Sequence, residues 1–384
     1  DPMSEKRDQD SEACTPPGGG SADRPGHLGF VAHEVRNPLS TALTSFGFVY
    51  YLGISPAAAM VNLSQTPLVA YPVLGAKWGF RKASAALMTA SKETMEGKND
   101  LRSRLKNPDE IAAYDEAVRT GVIDVTMAHD LAGIAQGEDA KVMWKIRPVM
   151  RLASYLFHHA ERFNRQATFL AAYRLARDAG AKHDTAYSQA VKATYDGHFD
   201  YSTGNRPRAM QGNVAKVVLL FKQYAQNMIY TLARNAYQSV KGESPEVRRE
   251  ARKVFGALMT MHAAAAGVLG LPMVGTLLTL ASALGGSDDE PWDAEVALRN
   301  MLADTFGTKP AEVIAKGFSR LTPWDISGRV GLDKLLLPDV NESLEGQRWA
   351  EAFATAMLGP VIGMGVNAAK GAQKHSDALI AEIR

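Results

Sequence analysis

The sequence predicts an all-α fold built of several helices, with long amphipathic helices and an uncharged Gly/Ala/Leu-rich helical hairpin. Three observations carry this. Residues 149–178 and 214–240 place apolar side chains three and four apart, the spacing of one helix face. No run of alternating apolar and polar residues marks a strand. Residues 254–284 contain no Asp, Glu, Lys or Arg and are rich in Ala, Leu, Gly and Met.

Taken in order, residues 1–26 read as a disordered tail, because they are charged and rich in Pro, Gly and Ser. The start at Asp1-Pro2-Met3 suggests a fragment or a processed product, and no signal peptide is visible. Residues 27–43 read as a short helical segment. Residues 37–76 hold no charged side chain but are broken by Pro38, Pro56, Pro67 and Pro72, which favours short buried helices and turns over a membrane span. A helical module is expected over 44–245. Within it Asn107-Pro108 is a start signal for a helix over 109–120. The helix over 149–178 is expected to bury Leu152, Leu156, His159, Phe163, Ala167 and Leu170. Its opposite, solvent side would carry Arg151, Glu161, Arg165, Arg174 and Arg177. The stretch 197–212 reads as a loop. The helix over 214–240 would bury Val214, Val217, Val218, Phe221, Ala225, Met228 and Leu232. The Tyr and Gln residues between 223 and 237 read as a solvated face with aromatic core anchors.

The region 246–384 is the apolar C-terminal part. It opens with a short charged segment, 246–253, and continues into the uncharged run, which Gly270-Leu271-Pro272 interrupts. About 20 apolar residues cross a bilayer. One span, two shorter helices, a hairpin in lipid and a hairpin in a protein core are all open from sequence. Basic residues before the run and Asp288, Asp289 and Glu290 after it would keep the upstream side on the positive-inside face. A second uncharged run, 352–369, is expected to dock on the first, its Gly and Ala allowing close contact. Amphipathic pieces are expected at 311–321 and 344–353, with a turn and cap at Thr322-Pro323-Trp324-Asp325.

Composition narrows function. Hydrophobic residues make up 46% of the 384, enough for a sizeable core, and the net charge of +2 makes no global case for nucleic acid. Basic residues are interspersed with acidic ones, so there is no specific nucleic-acid signal. The single cysteine, Cys14, lies in the polar tail, so disulfides do not hold the fold. His158, His159 and Glu161 share a short helical stretch but lack the further ligands a zinc site needs, so no metal is expected. Neither a Gly-x-Ser-x-Gly turn nor a Walker loop is present.

Two stretches resemble known families. Phe30 to Ser40 reads FVAHEVRNPLS, which resembles the H-box of sensor histidine kinases. The resemblance covers about residues 28–43. It implies His33 as phosphoacceptor, Glu34 as its base and Asn37 near the nucleotide, with ATP as phosphoryl donor and a response regulator as partner. The glycine-rich nucleotide loops of such a kinase are absent downstream, so the donor would act from another domain or protein. The alternative is a short remnant or a coincidence.

The second resemblance covers about residues 48–372. Tyr71-Pro72-Val73-Leu74-Gly75-Ala76-Lys77-Trp78-Gly79 is similar to the PLxRFG region of very large phage and prophage proteins, which include internal virion and DNA-ejection components. Pro72, Leu74 and Gly79 match, while Lys77 stands for Arg and Trp78 for Phe. This implies a structural module acting by assembly with itself or other virion proteins, with possible membrane insertion, in a virion or the bacterial envelope and without a cofactor. A phosphotransfer protein of the bacterial cytoplasm or inner membrane, and a soluble helical scaffold, are the alternatives.

Overall fold

The computed structural model describes residues 46–47, 52, 55–98, 100–123, 147–200, 222–285, 292–321, 326–333, 371 and 373. Among them the protein is all-α, with no strand. The tail, the H-box-like segment and the second uncharged run lie outside the described residues.

The chain enters through α1 (Pro56–Leu63), where Ser55 caps the first turn by accepting from the Ala58 amide and Pro56 supplies a preset φ. A π-helical turn (Thr66–Ala70) leads directly into α2 (Tyr71–Trp78). Gly79, at φ 98°, turns the chain into α3 (Phe80–Glu96), a conformation for which glycine carries no steric cost. A 3₁₀ turn (Leu101–Arg104) precedes α4 (Pro108–Arg119), capped by Asn107 as its Asn-Pro signal predicts. Then come α5 (Arg147–Asp178) and α6 (His183–His198). The pair α7 (Lys222–Lys241) and α8 (Pro245–Ala266) is joined by a three-residue turn and packs together. The boundary drawn at 245/246 falls after the first residue of α8. The described C-terminal part is α9 (Val274–Gly285), α10 (Ala294–Phe306), α11 (Thr308–Lys316), a 3₁₀ turn (Phe318–Leu321) and a single turn, α12 (Ser327–Val330).

Two apolar clusters organise these helices. In the first, α5 packs between α3 and α6, with Leu74, Leu87, Tyr114, Phe169, Leu170 and Tyr173 fully or almost fully buried. Alanines at 83 and 90 on α3 and at 186 and 190 on α6 are also buried, which lets these helices approach α5 closely. At the edge of this cluster Arg174 pairs with both Glu110 and Glu93, tying α3, α4 and α5 together. Burial opposes its charge, but the two carboxylates outweigh that and raise its pKa. The second cluster gathers α1, the π-helical turn, α7 and α8 through Ala58, Val69, Met228, Leu232, Val254 and Leu258.

Three expectations are corrected or refined here. First, the polar side assigned to α5 reaches solvent at Arg177 but not at Glu161 and Arg165. Glu161 is 2% exposed and Arg165 1%, whereas Leu156 is 46% exposed. Residues 164–173 are buried at every position, so α5 runs through the middle of the fold and has no dry-versus-wet sidedness there. Second, Gly197 and His198 belong to the last turn of α6 rather than to a loop. A Cβ at Gly197 would meet Ala70 at 2.9–3.0 Å, so glycine lets α6 touch the π-helical turn. Third, the short charged segment 246–253 forms the first turns of α8, which runs on to Ala266. The uncharged run is thus divided between the end of α8, a turn at 267–273, and α9. The two pieces take different neighbours, α8 packing on α7 and α2 and α9 on α10. No helix among the described residues is long and apolar enough to cross a membrane.

Candidate functional site

The five residues matched to the PLxRFG region lie together, at the corner between α2 and α3. Pro72 sits in the first turn of α2, and Leu74 is fully buried in the first cluster. Trp78 packs on the same cluster, and the Lys77 ammonium lies 4.5 Å from the centroid of its ring. Partial burial lowers the Lys77 pKa, while the Glu250 carboxylate on α8 pulls it up. The Phe80 ring lies against Gly75, leaving no room for a Cβ there. These contacts make the segment a packing corner. The three H-box positions His33, Glu34 and Asn37 lie outside the described residues.

The most elaborate chemistry is inside α5. Four nearly consecutive side chains each hydrogen-bond a different neighbour. Asn164 donates to the Asn62 carbonyl at 2.7 Å and accepts from the Thr66 hydroxyl at 2.8 Å. Gln166 accepts from the Leu101 amide and the Tyr114 hydroxyl, both at 3.0 Å. Thr168 shares a 2.7 Å hydrogen bond with His198 Nε2. Arg165 donates to the Val122 carbonyl at 3.1 Å, to the Phe199 carbonyl at 2.9 Å and to Glu161 at 3.3 Å. Glu161 is thus paired with Arg165. Among the described residues no group of His, Cys, Asp and Glu is placed to hold a metal ion.

Arg165 also holds a strained corner. Phe199 follows α6 at φ 58°, ψ 162°, a region populated essentially by glycine. Its buried ring meets Tyr224 of α7 edge-on at 5.8 Å, so side-chain packing and the Arg165 hydrogen bond jointly keep it there.

His198, beside it, is fully buried, and its Nδ1 has no hydrogen-bond partner. Burial, and secondarily the nearby Arg165 charge, lower its pKa to about 3, while the Asn164 carbonyl acts in the opposite sense. The folded state keeps this imidazole neutral, and the unfolded chain protonates it near an ordinary pKa of about 6.5. Its contribution to stability is complete above about pH 6.5 and falls as the pH drops toward about 3. Urea unfolding at a series of pH values should show a slope from this residue of at most about 1.4 kcal/mol per pH unit. His198→Gln, whose amide nitrogen falls near Nε2, should flatten that slope. Buried His262 on α8, also shifted down by burial, leaves a residual one.

This interior is closed; an outward-facing apolar surface lies on α9, α10 and the 3₁₀ turn at Phe318–Leu321. None of the described side chains of α9 is buried. Met273, Leu277, Leu280 and Leu284 form one stripe at helical spacing, with Leu284 79% exposed. Met301, Phe306 and Phe318 add exposed apolar surface from the following elements. The elements that carry it are well tied. Trp292 lies over Gly285, the Ala294 amide donates to Ser282 Oγ at 2.8 Å, and Glu312 pairs with Arg299. The C-terminal ends of α8 and α11 interlock through two glycines. The Val268 and Leu269 amides donate to the Ile314 and Ala315 carbonyls at 2.9 and 3.1 Å, and Ser319 donates to Ala265 at 2.8 Å. Gly267 and Gly317 both have positive φ, and a Cβ on either would run into the other helix's backbone.

The uncharged run announced α9 in the sequence, but the exposure of Met301, Phe306 and Phe318 was not foreseen. Their helices carry mixed charge, and only the packing decides which side is covered. No family model matches the chain, and neither a curated protein nor a solved structure matches it, so these comparisons bear on neither resemblance.

Proposed function

We propose that this chain is a non-enzymatic structural module of the phage internal-virion type. It assembles with itself or with other virion proteins and meets a bacterial membrane through the apolar surface of α9, α10 and the 3₁₀ turn at Phe318–Leu321. The observation that carries this reading is the Leu277, Leu280 and Leu284 stripe on an uncharged helix, which Met273 extends from the turn before it. Leaving a leucine in water rather than burying it forfeits about 1.5–3 kcal/mol, so a contiguous stripe calls for a partner. Lipid suits this helix because no charge has to be desolvated on any side of it. Its 12 residues extend only about 18 Å against a hydrocarbon core of about 30 Å, so the helix lies in the interface rather than spanning it. Trp292 at its end is the residue type that anchors at that depth.

Liposome co-flotation with a dye-release readout tests this. The chain should float with anionic liposomes, and Leu277→Arg should remove most of the floated fraction. Leu277 is 58% exposed, so the substitution should leave helix content and the urea midpoint nearly unchanged. A chain that does not float, or a variant that floats as well as the parent, would return the molecule to a helical scaffold without membrane contact.

A further inference from the structure

A second outward face has a different character. Helix α7 contains no acidic residue in its 20 positions. It packs on the rest of the protein through Met228 and Leu232, both buried. On the opposite side, Tyr230, Arg234, Tyr237 and Lys241 fall within an arc of about 60° at 100° per residue. All four are exposed, Tyr230 at 65% and Tyr237 at 68%. These two tyrosines are not core anchors; of the tyrosines on this helix only Tyr224 turns inward, to meet Phe199. The resulting order along the helix is aromatic, cation, aromatic, cation. Each like pair is seven residues apart, about 10.5 Å at 1.5 Å per residue.

The surroundings reinforce the charge. Between residues 222 and 253 there are seven basic and three acidic side chains, while the whole chain has a net charge of only +2. Two of the basic ones are fixed at the end of α7. Arg248 donates to the Gly242 carbonyl at 2.7 Å and Arg252 to the Ser239 carbonyl at 2.9 Å. A local excess of positive charge is thus concentrated on one helical pair, next to two solvent-facing rings.

We infer that the exposed face of α7 is a docking surface for single-stranded nucleic acid, bound without sequence preference. Arg234 and Lys241 contact phosphates, and Tyr230 and Tyr237 stack on unpaired bases. Charge complementarity selects a polyanion, and the exposed rings select one with free π-faces. A membrane is the weaker occupant, because this face offers two tyrosines with polar tips rather than the leucine-rich stripe of α9. The inference does not rest on the membrane reading, since the two surfaces share no residue.

Fluorescence anisotropy with a labelled deoxythymidine oligonucleotide tests it on the full chain. Binding should weaken with added salt. Arg234→Ala/Lys241→Ala should reduce the log–log salt slope by about 1.4, two phosphate contacts at about 0.7 each. Tyr230→Ala/Tyr237→Ala should weaken binding at least tenfold while leaving that slope nearly unchanged. Because all four side chains are exposed, unchanged unfolding midpoints establish that the variants are folded. No binding at low salt, or equal binding by both double variants and the parent, overturns the proposal. So does equal affinity for duplex of matching length, which removes the role of stacking. Anionic vesicles supply the remaining arm. If the tyrosine variant loses vesicle binding but keeps the oligonucleotide, the face belongs to lipid and the proposal fails.

Discussion

Replacing Arg165 with Met is expected to destabilise the protein by about 3–5 kcal/mol, enough to remove much of a typical domain's stability. The guanidinium is 1% exposed and makes three hydrogen bonds. Methionine fills part of the volume but donates nothing, so Glu161 is left buried without its guanidinium and the Val122 and Phe199 carbonyls each lose a donor. A second substitution separates these contributions. Glu161→Leu added to Arg165→Met removes the carboxylate that lost its guanidinium and should restore part of the loss. It cannot restore the two carbonyls or the hold on the strained Phe199 backbone. Urea midpoints of the two singles and the double measure this directly. Full recovery in the double would mean that the ion pair alone matters and that the Phe199 corner needs no support from α5. Hydrogen exchange should place the loss of protection around residues 195–200, where α6 ends.

Gly267→Ala is expected to cost about 3–5 kcal/mol, far above an ordinary exposed Gly→Ala change. Two penalties coincide there. The backbone sits at φ 73°, ψ −176°, and the added Cβ would run into the Ala315 carbonyl of α11. Gly307 supplies the control. It has φ 84°, ψ 159°, but the nearest atom to its Cβ is Pro310 Cδ at 4.0 Å. Gly307→Ala therefore carries the backbone strain alone, about 1–2 kcal/mol. Gly317→Ala should resemble Gly267→Ala, since its Cβ would meet the Ala265 carbonyl. The two should be strongly non-additive, because either change already separates the ends of α8 and α11. Thermal unfolding of the three singles and the 267/317 double tests the ordering. Equal losses at 267 and 307 would remove the steric argument.

The helices were legible in the sequence where local chemistry decides them. Asn107-Pro108 placed α4 to within a residue, and the apolar spacing found α5 and the described part of α7. Sidedness was not legible for α5, because a buried Arg165 and a solvated one look alike to periodicity. What distinguishes them is Val122 and Phe199, which are 43 and 34 residues away. Charge content located the uncharged run and Gly270-Leu271-Pro272 marked its interruption, but the docking of that turn on α11 follows from Gly267 and its partner backbone at Ala315. Of the two outward faces, α9 was visible as a run without charge. The face of α7 was read as solvated with aromatic anchors, and only the packing of Met228 and Leu232 turns Tyr230 and Tyr237 to solvent. The five positions of the PLxRFG-like segment were found by resemblance, but their shared corner emerges only from the Gly79 turn.

The hydrogen bonds of Asn164 join residues 98 and 102 positions apart, to Thr66 and Asn62. Helical proteins usually fold fast because their contacts are local, whereas here the central helix finishes its polar pairing with a segment made a hundred residues earlier. A collapsed chain with α5 rotated by one residue would still bury ample apolar surface, yet it would leave Asn164, Gln166 and Arg165 facing the wrong neighbours, each unpaired polar group costing about 1–3 kcal/mol. The buried amides and guanidinium thus act as a combination lock on the register of the bundle. They penalise near-miss arrangements that leucine and alanine alone would tolerate, at the expense of a slower search for the one alignment that satisfies all three side chains.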